Sequence, residues 1–98
     1  MNIQAMMKQA QKLQKDMMEE KNKIDNMEFV AKSSFVTVKM KGTKEIIDVK
    51  IEIDSLDKEE VEMLQDMIMV AVNDCIKQID KETEKNLGKY TQGMPGLF

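Results

Sequence analysis

Three lysines near the start of the chain have a spacing that suits contact with phosphate groups. Lys8, Lys12 and Lys15 follow one another at intervals of four and three residues, and no acidic residue precedes Asp16. In a helix this spacing places the three ammonium groups on one face. Four glutamines surround them: Gln4, Gln9, Gln11 and Gln14. Lysine and neutral hydrogen-bonding side chains are typical phosphate contacts in nucleic-acid complexes, and an ordinary solvated helix face is the alternative interpretation.

Two further groups of lysines occur later in the chain. The residues Lys77, Lys81, Lys85 and Lys89 recur at intervals of four. Acidic residues are interleaved with them, so intrahelical ion pairs are expected there, with phosphate contact as the second interpretation. Another group consists of Lys39, Lys41 and Lys44 in a predicted hairpin. That group suits either phosphate contact or protection of an exposed sheet edge.

The residue types that most enzymes rely on are scarce. The sequence contains no histidine, the commonest general base and zinc ligand. The single cysteine, Cys75, lies in an apolar helical pattern, which predicts packing and fits a reducing cytoplasm. Acidic residues from Asp54 to Glu62 have no calcium-loop spacing, and the Asp57–Glu60 interval predicts a helix cap. We therefore expect no enzymatic activity, cofactor, metal or small-molecule substrate.

The charge distribution along the chain is uneven. The 98 residues include fifteen lysines, no arginine and eighteen acidic residues, giving a net charge of −3. Lysines outnumber acids up to Ile51, and acids outnumber lysines after it. Because guanine readout depends on bidentate arginine, a lysine-only nucleic-acid binder should contact phosphates and discriminate poorly between sequences. No apolar run approaches a membrane span of roughly 18 residues, and no signal-peptide h-region follows the first Met, so a cytoplasmic location is expected.

A predicted helix over residues 3–25 positions Lys8, Lys12 and Lys15. Its apolar residues recur at alternating intervals of three and four, a heptad-like seam. The seam consists of Ile3, Met6, Ala10, Leu13, Met17, Ile24 and Met27, with polar Glu20 interrupting it. The predicted helix is about 35 Å long at the standard rise.

The middle of the chain changes to a period of two. Alternation over residues 35–41 and 46–53, separated by Gly42-Thr43, predicts two antiparallel strands. Residues 28–32 add a possible first strand, so the fold class is α+β with either a β-hairpin or a three-stranded sheet. A wide amphipathic stripe predicts a second helix over 58–86. We expect one α-β-α domain over residues 1–87 and a flexible Gly/Pro-containing tail over 88–98.

The predicted helices are too long for a compact domain of this size. Such a domain has a diameter of roughly 33 Å, and both helices equal or exceed it. They should project beyond the sheet, pair with a second subunit, or do both, and a symmetric dimer is the commonest arrangement. Eleven methionines and only four aromatic residues also suggest burial against a partner chain.

Four segments resemble the YbaB/EbfC family of small bacterial nucleoid-associated proteins. Residues 6–14 (MMKQAQKLQ) resemble the family's opening, and residues 49–54 resemble its central segment. Residues 70–75 (VAVNDC) resemble its AAVNDA signature, with Cys75 where the family usually has Ala, and residues 93–98 resemble its tail. The resemblance covers nearly the whole chain.

This resemblance implies a tweezer-like homodimer whose sheets join at the centre and whose long helices project. It implies binding of double-stranded DNA with little sequence preference, in a cytoplasmic nucleoid location, with effects on nucleoid organisation or gene expression. Mapped residue by residue, the DNA contacts would be Lys8, Gln9, Lys12 and Lys15, with Lys81 and Lys85 of the second helix as further candidates. A second hypothesis is a protein-interaction adaptor or chaperone whose Met-rich amphipathic helices dock a partner helix.

Overall fold

The computed structural model describes residues 2–91, and it has an α-β-β-β-α order. The elements are α1 (Ile3–Asp25), β1 (Glu28–Ser33), β2 (Val36–Lys41), β3 (Ile46–Ile51) and α2 (Lys58–Thr91). The predicted α+β class, with long helices flanking a three-stranded antiparallel sheet, is confirmed. Of the predicted tail, residues 92–98 lie outside the described part of the chain.

Helix α1 has the predicted bounds and is stabilised locally at both ends. Asn2 is its N-cap, with Oδ1 accepting from the N–H groups of Gln4 (3.1 Å) and Ala5 (3.3 Å). Near the other end, Lys21 forms an ion pair with Asp25 at 3.2 Å. Residues 2–15 are all exposed, and the first buried residue of the helix is Ile24. Within the range 2–91, only the last turns of the seam therefore pack against the rest of the protein.

The sheet has the strand order β1-β2-β3, with β2 in the centre. One face is apolar and buried under α2, and it carries Phe29, Ala31, Val36, Val38 and Met40. The turns that reverse the chain contain two non-glycine residues with positive φ, Ser34 (53°) and Lys44 (73°). Alternate burial along β1 and β2 follows from the period of two in the sequence.

The hydrogen-bond pattern shows which backbone groups point outward at each edge of the sheet. Gly42 N–H donates to Met27 O at 3.0 Å, and Glu52 N–H donates to Phe35 O at 2.8 Å. Hydrogen-bonded pairs alternate with non-bonded pairs in antiparallel strands. The same alternation, continued along the observed registers, shows which groups point outward. They are the backbone N–H and C=O of Val30 on β1 and those of Val49 and Ile51 on β3.

Helix α2 begins with the predicted capping box and runs further than predicted. Asp57 Oδ1 accepts from Glu60 N–H at 3.0 Å, while Glu60 Oε1 accepts from Asp57 N–H at 3.4 Å. The helix continues through Gly88 to Thr91 instead of ending at residue 86. A glycine costs a helix roughly 1 kcal/mol, and the buried Leu87 together with the packed Tyr90 offsets that cost.

The end of α1 is held against the turn between β2 and β3. Gly42 is buried, and a Cβ placed on it would lie 1.7 Å from the carbonyl oxygen of Ile24. Across the same turn, Lys44 Nζ pairs with Asp80 of α2 at 3.1 Å. The two helices and the hairpin therefore meet at this end of the sheet.

The molecule is strongly elongated. Its principal extents are 71 × 21 × 15 Å and its radius of gyration is 19.3 Å, compared with about 13 Å for a compact domain of 100 residues. Helix α2 alone accounts for about 50 Å. The exposed first half of α1 therefore projects beyond the packed body, as the length of the helix predicted.

Candidate nucleic-acid interface

The projecting part of α1, residues 2–15, is named here the α1 arm. Lys8, Lys12 and Lys15 are all exposed on it. At 3.6 residues per turn their side chains lie on the side of the helix opposite Met6 and Leu13. None of the three forms an ion pair with any residue in the described range 2–91.

The electrostatics of the α1 arm favour an anion. Its first turn contains no acidic residue, and the first acid of the chain is the half-buried Asp16. Gln9 is exposed on the flank of the lysine face and can donate a neutral hydrogen bond. The arm therefore presents three uncompensated ammonium groups to solvent, and its apolar seam on the other side is also exposed, with Ile3 at 70% and Leu13 at 52%.

The lysines of α2 have surroundings that differ from the prediction. The expected intrahelical ion pairs are not formed by Lys77, Lys81, Lys85 or Lys89 with any described residue. The acids between them have other contacts: Asp80 pairs with Lys44, and Glu82 accepts from Asn86 at 2.8 Å. Lys89 instead lies 5.0 Å from the centroid of the Tyr90 ring. Lys81 and Lys85 are exposed, but acidic neighbours reduce the local positive potential.

The hairpin lysines do not protect a sheet edge. Lys39 and Lys41 lie on the central strand β2 and are half-buried. In a two-stranded hairpin these lysines would lie on an edge strand. Because β1 pairs with the free side of β2, they lie on the central strand instead. Lys44 is engaged with Asp80.

Two lysines that no short sequence pattern singles out are brought together by the strand registers. Lys32 of β1 and Lys50 of β3 are both directly opposite Thr37 of β2. They are separated by eighteen positions in the sequence, so only the pairing of three strands aligns them. Both are exposed.

Cys75 is a core residue without a reactive thiolate. It is fully buried, and its Sγ lies 3.5 Å from Val38 O and 3.7 Å from Phe29 O, the carbonyls to which the thiol can donate. Burial raises the pKa of the Cys75 thiol above its ordinary value, and the charge of Asp74 raises it further, against a lowering hydrogen bond from the Ala31 backbone. The thiol therefore stays protonated at neutral pH.

The described residues contain no cluster of three or more Cys, Asp or Glu side chains that could hold a metal ion. The predicted capping role of Asp57 and Glu60 is confirmed by their reciprocal hydrogen bonds. Neither helix, over the range 2–91, has the length and apolar character needed to cross a membrane.

Comparison with known proteins agrees with this architecture. A sequence model of the YbaB/EbfC DNA-binding family matches residues 1–94. A nucleoid-associated protein of Enterococcus faecalis is 46% identical over 98 residues, covering 98% of this chain and 94% of the relative. A nucleoid-associated protein of Lactococcus lactis subsp. cremoris is 50% identical over 97 residues, covering 97% and 98% respectively.

The fold also has a solved counterpart. The crystal structure of an uncharacterized protein from Helicobacter pylori superposes with a TM-score of 0.74 at 28% identity, covering 94% of this chain and 98% of that one. The chain is thus of a bacterial nucleoid-associated, DNA-binding type. It belongs to the YbaB/EbfC DNA-binding family.

Proposed function

We propose that this protein binds double-stranded DNA as a homodimer with low sequence specificity, through Lys8, Gln9, Lys12 and Lys15 of the α1 arm. Lys81 and Lys85 of α2 contribute secondary contacts, and the binding affects nucleoid organisation or gene expression. The observation that carries the proposal is the exposed, acid-free lysine face of the arm, without ion pairs to described residues.

The chemistry of this face determines how the DNA is recognised. Lysine approaches phosphate as a point charge, and the sequence has no arginine for bidentate readout of guanine. The affinity therefore comes from counterion release, which makes it strongly dependent on salt and weakly dependent on sequence. Two arms double the number of phosphate contacts, so dimerisation compensates for the net charge of −3.

The edge of β3 supports the homodimer. All six residues of β3 are exposed, and no described residue pairs with the outward backbone groups of Val49 and Ile51. Their side chains are opposite Val38 and Val36 and so share the apolar face of the sheet. Helix α2 packs mainly over β1 and β2, which leaves Val49 and Ile51 over 40% exposed. A second copy of β3 would pair the backbone and cover these side chains.

The opposite edge of the sheet does not offer the same surface. Gln78 of α2 reaches over β1, and its Nε2 donates to the outward carbonyl of Val30 at 3.0 Å. Asp74 Oδ2 accepts from the same amide at 3.5 Å. This contact occupies the middle of the β1 edge and directs pairing to β3, so the assembly closes at two chains.

The DNA-binding role of the α1 arm is tested with the triple variant K8Q/K12Q/K15Q. In fluorescence anisotropy titrations with unrelated duplexes, wild type should bind each with similar affinity. In the triple variant the slope of log K against log salt should become shallower by up to about 5 for a dimer, since six phosphate contacts are lost.

A matched control removes the same charge elsewhere. K21Q/K23Q/K58Q changes three lysines, two of which already pair with Asp25 and Glu20 on the same helix. It should retain most of the affinity. Equal loss in both variants would mean that net charge, and not the α1 arm, determines binding.

The dimer interface is tested by Val49→Lys, which places an ammonium group on the apolar edge of β3. Light scattering should give the mass of two chains for wild type and of one chain for the variant. The matched control is Val30→Lys, since Val30 is also an exposed valine on an edge strand but lies on the other face. A dimeric V49K protein would contradict this interface.

The exposed apolar seam of the α1 arm favours one alternative, a protein-interaction adaptor or chaperone. Met6 and Met7 are both more than half exposed beside Ile3 and Leu13, and methionine surfaces adapt to varied partners. Salt separates the two functions: phosphate contacts weaken steeply between about 50 and 200 mM. A partner retained at high salt, with no DNA affinity at low salt, would favour the alternative.

A further inference from the structure

The face of the sheet opposite α2 is an uncovered surface. Residues on it alternate with the buried ones, so it carries Val30, Lys32, Thr37, Lys39 and Lys50, none of which is buried. No described helix packs on this face, because α2 lies on the other side and α1 contacts α2. No described element therefore blocks this face from a ligand.

The positive charge on this face is concentrated in one row that crosses all three strands, named here the sheet row: Lys32, Thr37 and Lys50. Thr37 is the register partner of both lysines. At the usual spacing of neighbouring strands the two lysine Cα atoms are about 10 Å apart. The row contains no acid, and neither lysine forms an ion pair with a residue in the described range.

The neighbouring rows lack this excess of charge. Asp48 is opposite Lys39, and Glu28 is opposite Lys41, so each of those rows is close to neutral. On the other side of the sheet row, Glu52 lies opposite Phe35 on the same face, so the excess is confined to this one row. Two ammonium groups with a hydroxyl between them form a set of donors that complements phosphate oxygens and has nothing apolar to bury.

The sheet row is well separated from the α1 arm. The arm leaves the sheet at the Gly42 end, where Ile24 contacts that glycine, and the sheet row lies at the other end. The intervening length of β2 is about 13 Å, and Lys8 is a further 25 Å or so along α1. A duplex segment lying on the arm of the same protomer does not reach the row unless it extends or bends across the sheet.

We propose that the sheet row is a second DNA-phosphate surface, which contacts a stretch of duplex other than the stretch held by the α1 arm of the same protomer. This inference rests on the proposed DNA-binding function. In a dimer joined through β3, the two copies of Lys50 lie near the symmetry axis, so the rows of both chains form one continuous basic band across the joined sheets.

The direct test is acetylation of lysines in the wild-type protein, with and without a duplex of sixty base pairs, read by mass spectrometry. Lys32 and Lys50 should become acetylated several-fold more slowly when DNA is added at low salt. Lys58, which lies among Asp57, Glu59 and Glu60, is the internal control and should be unaffected. The protection should disappear at high salt.

A pair of variants provides an independent test of the sheet row. K32Q/K50Q should make the salt slope shallower by about 2 per protomer on the long duplex. K23Q/K58Q removes the same charge and should leave the slope unchanged. Reduced affinity in both to the same degree would overturn the sheet row as a contact.

The outcomes separate this inference from the proposed function. If Lys8, Lys12 and Lys15 are protected by DNA while Lys32 and Lys50 are not, the arm binds DNA and the sheet row is not a contact. If no lysine is protected and wild type shows no affinity at low salt, the proposed function fails and this inference fails with it.

Discussion

At the residue scale, Gly42 is the position where the fold tolerates least change. A Cβ there would lie 1.7 Å from Ile24 O and 2.5 Å from Ile24 C. Both are backbone atoms, so neither can move away by a change of rotamer. Relieving the overlap requires separation of the end of α1 from the β2–β3 turn.

We therefore expect Gly42→Ala to lower the free energy of unfolding by about 2 kcal/mol or more, as overpacking of backbone does. Gly88→Ala is the matched control, since a Cβ added there would meet only the flexible side chain of Glu84 among described residues, at 3.8 Å from its Cγ. Within α2 that change should stabilise the protein by roughly 0.5–1 kcal/mol. Urea unfolding followed by circular dichroism measures both free energies of unfolding. A Gly42→Ala protein at least as stable as wild type would show that the α1–turn contact is not tight.

The lysines of the α1 arm could be predicted from the sequence, whereas those of the sheet row could not. The lysines of the α1 arm are three and four residues apart, so helical periodicity alone groups them. Lys32 and Lys50 are grouped by strand register, which depends on turn geometry that the sequence does not specify locally. The prediction of intrahelical ion pairs in α2 was wrong. Asp80 pairs instead with Lys44, which is a contact between distant segments of the chain.

At the element scale, helix α1 combines two different environments in one continuous helix. Its last turns pack through Met17 and Ile24, whereas residues 2–15 are all exposed. Short isolated helices are only marginally stable in water. The α1 arm should therefore open locally without unfolding of the body.

Hydrogen exchange measures this difference. Amides of residues 6–15 in the free protein should exchange orders of magnitude faster than those of residues 75–87 in α2, whose opening requires loss of the core. Addition of a DNA duplex should slow exchange in the arm. Equal protection of the two segments in the free protein would mean that another surface covers the arm.

Most element boundaries were predictable because each depends on local chemistry. The seam and the absence of Gly and Pro fixed α1, and the Asp57–Glu60 cap fixed the start of α2. The end of α2 was predicted too early, because Gly88 is a local stop signal that the packing of Leu87 and Tyr90 overrides. Tertiary contacts of this kind are not visible in a single segment.

At the scale of the whole molecule, the shape distinguishes a monomer from the proposed dimer. The single chain has a radius of gyration of 19.3 Å and a longest extent of 71 Å. Two chains joined through β3 would keep the arms extended on a larger body. The particle should then be longer and heavier than one chain.

Small-angle X-ray scattering of wild type and of V49K tests this arrangement. The variant should give a radius of gyration close to the 19.3 Å of one chain, and wild type should give a larger value at twice the mass. Values near 13 Å for the variant, the size of a compact domain, would contradict a projecting α1 arm.

Several methionines of this chain lie on its surface, and one lies in its core. Met6, Met7, Met18, Met63 and Met69 are all more than half exposed, whereas Met40 is 1% exposed in the core. Peroxide oxidises an accessible thioether to a polar sulfoxide, a change that methionine sulfoxide reductases reverse. Met40 and the thiol of Cys75 are buried, so both should resist the same oxidant. Oxidation should therefore alter the outer surfaces of this protein reversibly and leave its core chemically intact.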